Sequence, residues 1–472
     1  MYKNIVSIAL LSFHLACAYQ SNTIIDTITG FSGPLSLAVT FNGEFVYVIN
    51  LRNNTANVIA TATNTIIPTP GLNNIFNVPQ SLAITPNDQF VYVASAGNGS
   101  VVVIDTATNT VVSTPNFVSA FDYPESIAIT PNGSFAYVAN NIVNVLNIAN
   151  NTILTTPGLD SGFSTPDFIA ITPDGRYAYV TNLFSFGVTV IDTATNTILP
   201  TPGLATGFFF PQSITITPNG AYGYVTNGLN SNSIVVIDIA TNTILPTPGL
   251  SDAFDSLYST TFSPNGMYAY VTNELTDTLV AIVNMETDTI TATTGLPGLF
   301  AGAVSIAFTP DGTYGYASNA TVDTVSIINT VSNTEIYSIP GFSRPQTIAI
   351  TPNGQYAYVA NSGNNTVSVL FIGVHIPTNF GGCKRKNIFL TQIDNYNYLT
   401  WSAPLGGNTP VSYVIYSDPG LTQLVATVPA SGPLQYSDHN KNPGINYTYY
   451  LVAVDALGNF STPAVATVTQ CC

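Results

Sequence analysis

Eight tyrosines recur along this 472-residue chain at nearly constant separation, and no other feature restricts its fold so strongly. They are Tyr47, Tyr92, Tyr137, Tyr179, Tyr224, Tyr270, Tyr316 and Tyr358, with successive spacings of 45, 45, 42, 45, 46, 46 and 42 residues. Each lies in a unit whose best preserved stretch reads Ser-Ile-Ala-Ile-Thr-Pro-Asn-Gly and then Tyr-Val-Thr-Asn. A period of this length belongs to stacked or circular repeat architectures.

The copy from Ser213 to Gly249 shows what one unit builds. Ser213–Thr217 and Tyr222–Thr226 read as strands, joined by Pro218-Asn219-Gly220, where proline fixes φ and glycine permits a positive one. Ile234–Ile239 is a third strand, and Ala240-Thr241-Asn242 turns the chain into a short outer strand, Thr243–Pro246. Four antiparallel strands without helices predict a propeller blade. The last copy supplies only Thr347–Thr351, Tyr356–Ala360 and Thr366–Phe371. Its missing strand reappears at Ser21–Ile25, which matches Thr241–Leu245. The expectation is an all-β, eight-bladed β-propeller closed by an N-terminal strand, which leaves no open sheet edge.

The Tyr-Val-Thr-Asn, Thr-Pro-Asn-Gly and Ile-Asp-Thr-Ala-Thr-Asn-Thr signatures closely resemble the YVTN-type β-propeller repeat, over about Asn22 to Phe371. That resemblance implies an exported or surface-layer protein, in a family where most members have no known enzymatic activity. Seven blades are commoner there, so eight is a departure.

Lys3, the apolar run Ile5–Leu15 and Ala16-Cys17-Ala18 read as a signal peptide, 1–18, giving an exported (extracellular, periplasmic or cell-surface) protein. No second long apolar run predicts a transmembrane segment in the mature chain. Without Lys3, seven basic residues face 24 acidic ones, a formal charge of −17. Nucleic acid is excluded as a partner, because phosphate neutralisation by Lys and Arg dominates that affinity. Cys383, Cys471 and Cys472 are the disulfide candidates, with one thiol left over.

The period stops after Gly373. The expected division is a propeller over 19–372, a linker over 373–382 and a β-sandwich over 383–472. Short strands at Ile388–Thr391, Tyr398–Ser402, Val411–Tyr416, Leu424–Val428, Tyr447–Val454 and Ala464–Val468, with Trp401 on the second, follow the order of an Ig-like sandwich. The Tyr447–Asn459 stretch resembles the penultimate strand of a fibronectin type III domain, with Tyr447 as its corner tyrosine.

Histidine catalysis has no material in the propeller, since the histidines are His14, His375 and His439. Arg52, Arg176 and Arg344 are too few for a phosphate clamp. Residues repeated in every copy are structural first: the asparagines ending second strands, Asp105, Asp192 and Asp238 as backbone caps, and Phe76, Phe163, Phe208, Phe254 and Phe300 as packing between blades.

Departures from the repeat point to function. Phe184 and Phe186, with Phe209 and Phe210, fall on neighbouring loops of the fourth copy and are candidates for partner binding. A polar ring of Gln80, Glu125, Asp167, Gln212 and Gln346 is expected at the mouth of the central channel. Within it Glu125 and Asp167 could share calcium, although no cofactor is expected. The reading that follows is a secreted or cell-surface, non-enzymatic binding or adhesion protein recognising a protein or carbohydrate. The alternative is a metal-assisted, lactonase-like hydrolase at the channel mouth.

Overall fold

The computed structural model describes residues 22–469 except 74, 157, 160, 229–232, 247–256, 274–280, 287–288, 291–301, 374–377, 390–391, 405–408, 443–444, 457–459 and 462. The expected signal at 1–18, Phe254, Phe300, Cys471 and Cys472 lie outside these residues.

The chain is an all-β propeller. Among the described residues, eight four-stranded antiparallel sheets follow one another, numbered here in chain order of their inner strands. In the fourth, Pro166–Ile171, Tyr177–Asn182, Gly187–Asp192 and Thr197–Ile198 run from the inside outward. Each inner strand neighbours the inner strand of the next sheet, and the eighth, Pro345–Ile350, neighbours the first, Pro34–Val39. The eighth sheet takes its outer strand from Thr23–Thr29, paired antiparallel with Thr366–Phe371 so that Thr29 faces Thr366 and Thr23 faces Phe371.

The cores lie between sheets. Tyr47, Ile49 and Val58 of the first pack with Val91, Val93 and Ile104 of the second, and Phe76 closes that cluster. Each such buried side chain contributes roughly 1.5–3 kcal/mol. Phe208 is buried likewise between the fourth and fifth sheets, and Phe163 packs between the third and fourth. The Thr-Pro-Asn-Gly turns are held by threonine hydroxyls: Thr217 donates to Asn219 Oδ1 at 2.7 Å while Gly220 takes φ +70°.

Among the described residues, seven of the recurring tyrosines latch one sheet to the next. Tyr179 Oη donates to Asn242 Oδ1 at 2.5 Å, Tyr270 to Asn333 at 2.6 Å, and Tyr316 to Asn22 at 2.7 Å. Tyr358 donates to Asn64 at 2.6 Å, carrying the same contact across the closure. The accepting asparagines hold left-handed backbone, with φ between +51° and +59°, a conformation asparagine tolerates well. Burial pushes these phenols well above their ordinary pKa, so they remain donors. Tyr179→Phe is expected to cost about 1–2 kcal/mol in urea melts, the penalty for stranding the Asn242 acceptor; an unchanged midpoint would refute the latch.

The strand-end asparagines are buried and tie the second strand to the third: Asn361 donates to Thr366 and Ser368 at 3.1 and 2.8 Å. Asp105, Asp192 and Asp238 accept backbone N–H groups in the following turn.

The C-terminal region holds two further sheets around Leu399, Trp401, Tyr413, Ile415, Tyr449 and Leu451. Its first strands are longer than the sequence suggests. Thr378–Phe389 pairs with Gln392–Ser402, starting inside the stretch read as linker, and Gln435–Asp438 adds a strand that short-range pattern does not signal. Tyr447 Oη accepts the backbone N–H of Asn442 at 3.0 Å. Cys383 is disulfide-bonded, with its partner outside the described residues. Thr409 N–H donates to Asp311 at 3.0 Å, so this region meets the Thr-Pro-Asp-Gly turn of the seventh sheet, on the face opposite the inner-strand entries.

Candidate active site at the channel mouth

Among the described residues, seven of the eight inner strands are entered through the same strained step. A residue with positive φ stands directly before the strand or, for Tyr123, shortly before it: Gly33 +61°, Val78 +50°, Tyr123 +57°, Thr165 +52°, Phe210 +45°, Gly302 +66° and Arg344 +45°. Its carbonyl accepts an N–H from the loop after the second strand, as Leu183 donates to Thr165 and Gly228 to Phe210. Side chains of the preceding sheet hold its N–H: Asn54 for Val78, Asp323 for Arg344 and Asn365 for Gly33, at 2.8, 2.6 and 2.7 Å. Glycine suits this position, whereas other residues lose about 1–2 kcal/mol there. Since two sheets already use glycine, Arg344→Gly is expected to stabilise the protein by about 1 kcal/mol in denaturant titrations, and destabilisation would contradict the assignment of strain.

The residues that follow this step hold one shared place on the inner strands, and five of them are polar. Gln80, Glu125, Asp167, Gln212 and Gln346 are all half-buried, but Leu35 and Val304 occupy the same place in the first and seventh sheets. Glu125 is fixed by its own N–H donating to Ala139 O at 3.0 Å. The preceding loop is pinned by Asn141, whose side chain donates to Asp122.

Glu125 and Asp167 come from the third and fourth sheets and meet within hydrogen-bonding range. Burial, then the hydrogen bond to Glu125 and its charge, push the Asp167 carboxyl up to about 8. Near neutral pH Asp167 therefore favours its protonated form, in which it can donate a proton.

The donor set does not fit the metal considered from sequence. Calcium takes about 6–8 oxygen ligands, and Glu125 and Asp167 supply the carboxylates of only two residues. Among the described residues, no group of three or more His, Cys, Asp or Glu converges as a metal would require.

The four extra phenylalanines also come together. Phe186 stacks on Phe209 with centroids 5.5 Å apart, and Phe210 meets Phe186 and Phe209 edge-on at 5.0 and 5.1 Å. Phe184 meets Phe210 edge-on at 6.2 Å. Phe184 and Phe209 are 59% and 44% exposed, so the cluster covers itself only in part. Its origin is a broken rule: Phe186, at φ +56°, stands where Asn54 and Asn365 cap the next loop, and ring packing replaces that hydrogen bond.

Sequence inspection missed Phe168, which follows Asp167 and is 39% exposed. The signal was available, because the other sheets have Ser36, Ser81, Ser126, Ser213, Ser259, Ser305 and Thr347 at this place.

A family model described as Lactonase, 7-bladed beta-propeller, matches residues 259–375. Among solved structures, dihydro-heme d1 dehydrogenase NirN in complex with DHE aligns at a TM-score of 0.53 and 18% identity, over 66% of this chain and 67% of that one. Kuenenia stuttgartiensis hydrazine synthase aligns at a TM-score of 0.49 and 20% identity, over 63% and 96%. At such identities the NirN alignment bears on the fold alone. No curated protein matches. The lactonase match overturns the expectations of a non-enzymatic binding or adhesion protein and of a chain without enzymatic activity. Those expectations rested in part on missing histidines and phosphate clamps, which chemistry carried by carboxyl groups does not need. Among the described residues no helix is long and apolar enough to cross a membrane.

Proposed function

We propose that this chain is a hydrolase opening lactones at the mouth of its propeller, with Glu125 and Asp167 as a joint acid and base. The observation that carries this reading is the meeting of the Glu125 and Asp167 side chains from adjacent sheets, supported by the lactonase family match over residues 259–375. Glu125 accepts a proton from water as the water oxygen bonds to the lactone carbonyl carbon. Protonated Asp167 gives its proton to the carbonyl oxygen in the same step. Collapse of the tetrahedral adduct returns a proton to Asp167 and breaks the ring C–O bond. The departing oxygen takes the proton from Glu125, so the pair ends as it began and the product is a hydroxy acid.

The reading includes an eight-bladed ring of YVTN-type repeats over 19–372, a linker over 373–382, a fibronectin type III-like module over 383–472 and export directed by residues 1–18. The Tyr447–Asn442 hydrogen bond, of the corner-tyrosine kind, supports the module. Acid release from uncharged lactones, followed by pH-stat beside amide and phosphodiester controls, tests the function. Turnover confined to lactones agrees with it, and no release from any lactone sinks it.

A further inference from the structure

Resting on the hydrolase reading, we infer that the phenylalanines beside Asp167 form a lip for the uncharged alkyl tail of a lactone substrate. The pairing with the second strand shifts between Pro166 and Ile169, so simple alternation does not set the direction of Phe168. The residues at its place in the third and seventh sheets, Ser126 and Ser305, reach the next sheet, where their hydroxyls accept from Ile169 and Ile348 N–H at 3.4 and 3.5 Å. By the same placement Phe168 lies towards the fifth sheet. Phe210 stands at the entry to that sheet's inner strand, Pro211–Ile216, which neighbours Pro166–Ile171. Through Phe210 the apolar surface continues to Phe186, Phe209 and Phe184. The same two loops border a cleft of about 540 Å³ with Ser185, Gly187, Val188, Ile198, Leu199 and Pro202 in its walls.

The ring geometry selects the occupant. Phe186 and Phe209 each turn one face to the other, and Phe210 meets both edge-on, so the rings are packed at angles and offer no single flat platform. Angled rings beside the aliphatic wall of Val188, Ile198 and Leu199 suit a flexible alkyl chain better than a flat sugar ring. A net charge of −16 disfavours tails ending in carboxylate or phosphate. A carbonyl held at Glu125 and Asp167 would place an uncharged tail along Phe168 and Phe210.

The experiment measures kcat/KM for γ-lactones from four to twelve carbons. Wild type is expected to gain about threefold per methylene until the lip is filled. Phe168→Ser, which restores the residue of the other repeats, and the double variant Phe184→Ser/Phe209→Ser should flatten this series through KM. Phe41→Ser, on the opposite face, should retain it. Calorimetry with a dodecyl γ-lactam, which is not hydrolysed, gives an independent reading: the phenylalanine variants should bind at least about tenfold more weakly. An intact chain-length series and unchanged lactam binding in both variants would overturn the lip, even with Asp167→Asn inactive and the hydrolase reading upheld. Lactam binding lost in the variants, with no lactone turned over by wild type, would support the lip and remove the hydrolase reading.

Discussion

Asp167→Asn is expected to slow lactone hydrolysis by about 10²–10⁴-fold at neutral pH, the usual range for removing a positioned acid or base. The amide keeps the size of the carboxyl but cannot pass a proton to the carbonyl oxygen. Wild-type turnover should decline as pH rises through about 8, where Asp167 gives up its proton. Stability shifts in the same direction. The folded pKa lies above the free value of 3.8, so between about 4 and 8 the folded protein retains a proton that the unfolded chain has lost. Stability therefore falls with rising pH across that window, and the cost is complete above about 8. Water reaching the channel mouth screens the penalty to roughly 2 kcal/mol. Asp167→Asn should abolish that decline in urea melts at pH 5 and pH 8.5 while it abolishes turnover. A variant that hydrolyses lactones at the wild-type rate, or a wild-type rate flat across pH 8, would remove the pair from catalysis.

The repeat made much of the fold legible because each copy is an independent reading of one structural rule. Pro218-Asn219-Gly220 announces a turn through φ preferences that do not depend on distant contacts, and the turn forms as expected. The tyrosine contacts were not legible, because Tyr179 and Asn242 are 63 residues apart and nothing local says that a phenol reaches into the next sheet. At the site, Glu125 and Asp167 were readable as neighbours from strand order alone. The raised pKa of Asp167 was not, since it depends on burial and on the contact with Glu125 in the folded protein. Phe168 was overlooked for a different reason: a phenylalanine after an acidic residue is unremarkable until the other copies are aligned beneath it. Gln435–Asp438, four polar-rich residues, pairs with Asn397–Thr400 through backbone contacts that short-range alternation does not encode.

Deleting residues 22–29 is expected to destabilise the propeller by about 5 kcal/mol or more, a large share of the roughly 5–15 kcal/mol that holds a domain folded. The deletion removes every partner of Thr366–Phe371 on its outer side, from Thr23 opposite Phe371 to Thr29 opposite Thr366. Buried Ile28 goes with it, together with Ile24 and Ile25, which pack against the adjoining clusters. Asn22, the acceptor for Tyr316, is lost as well, leaving a buried phenol without that bond. The exposed edge would then present unpaired N–H and C=O groups, which invites association between chains. The expected result is a fall in Tm of more than about 10 °C and concentration-dependent light scattering. A synthetic peptide spanning 22–29 should recover part of the Tm in proportion to its concentration, because a strand that binds only the folded ring stabilises it by mass action. A truncated protein with unchanged Tm and no scattering would mean that the ring holds without its N-terminal strand, and that the pairing at Thr366–Phe371 contributes little to closure.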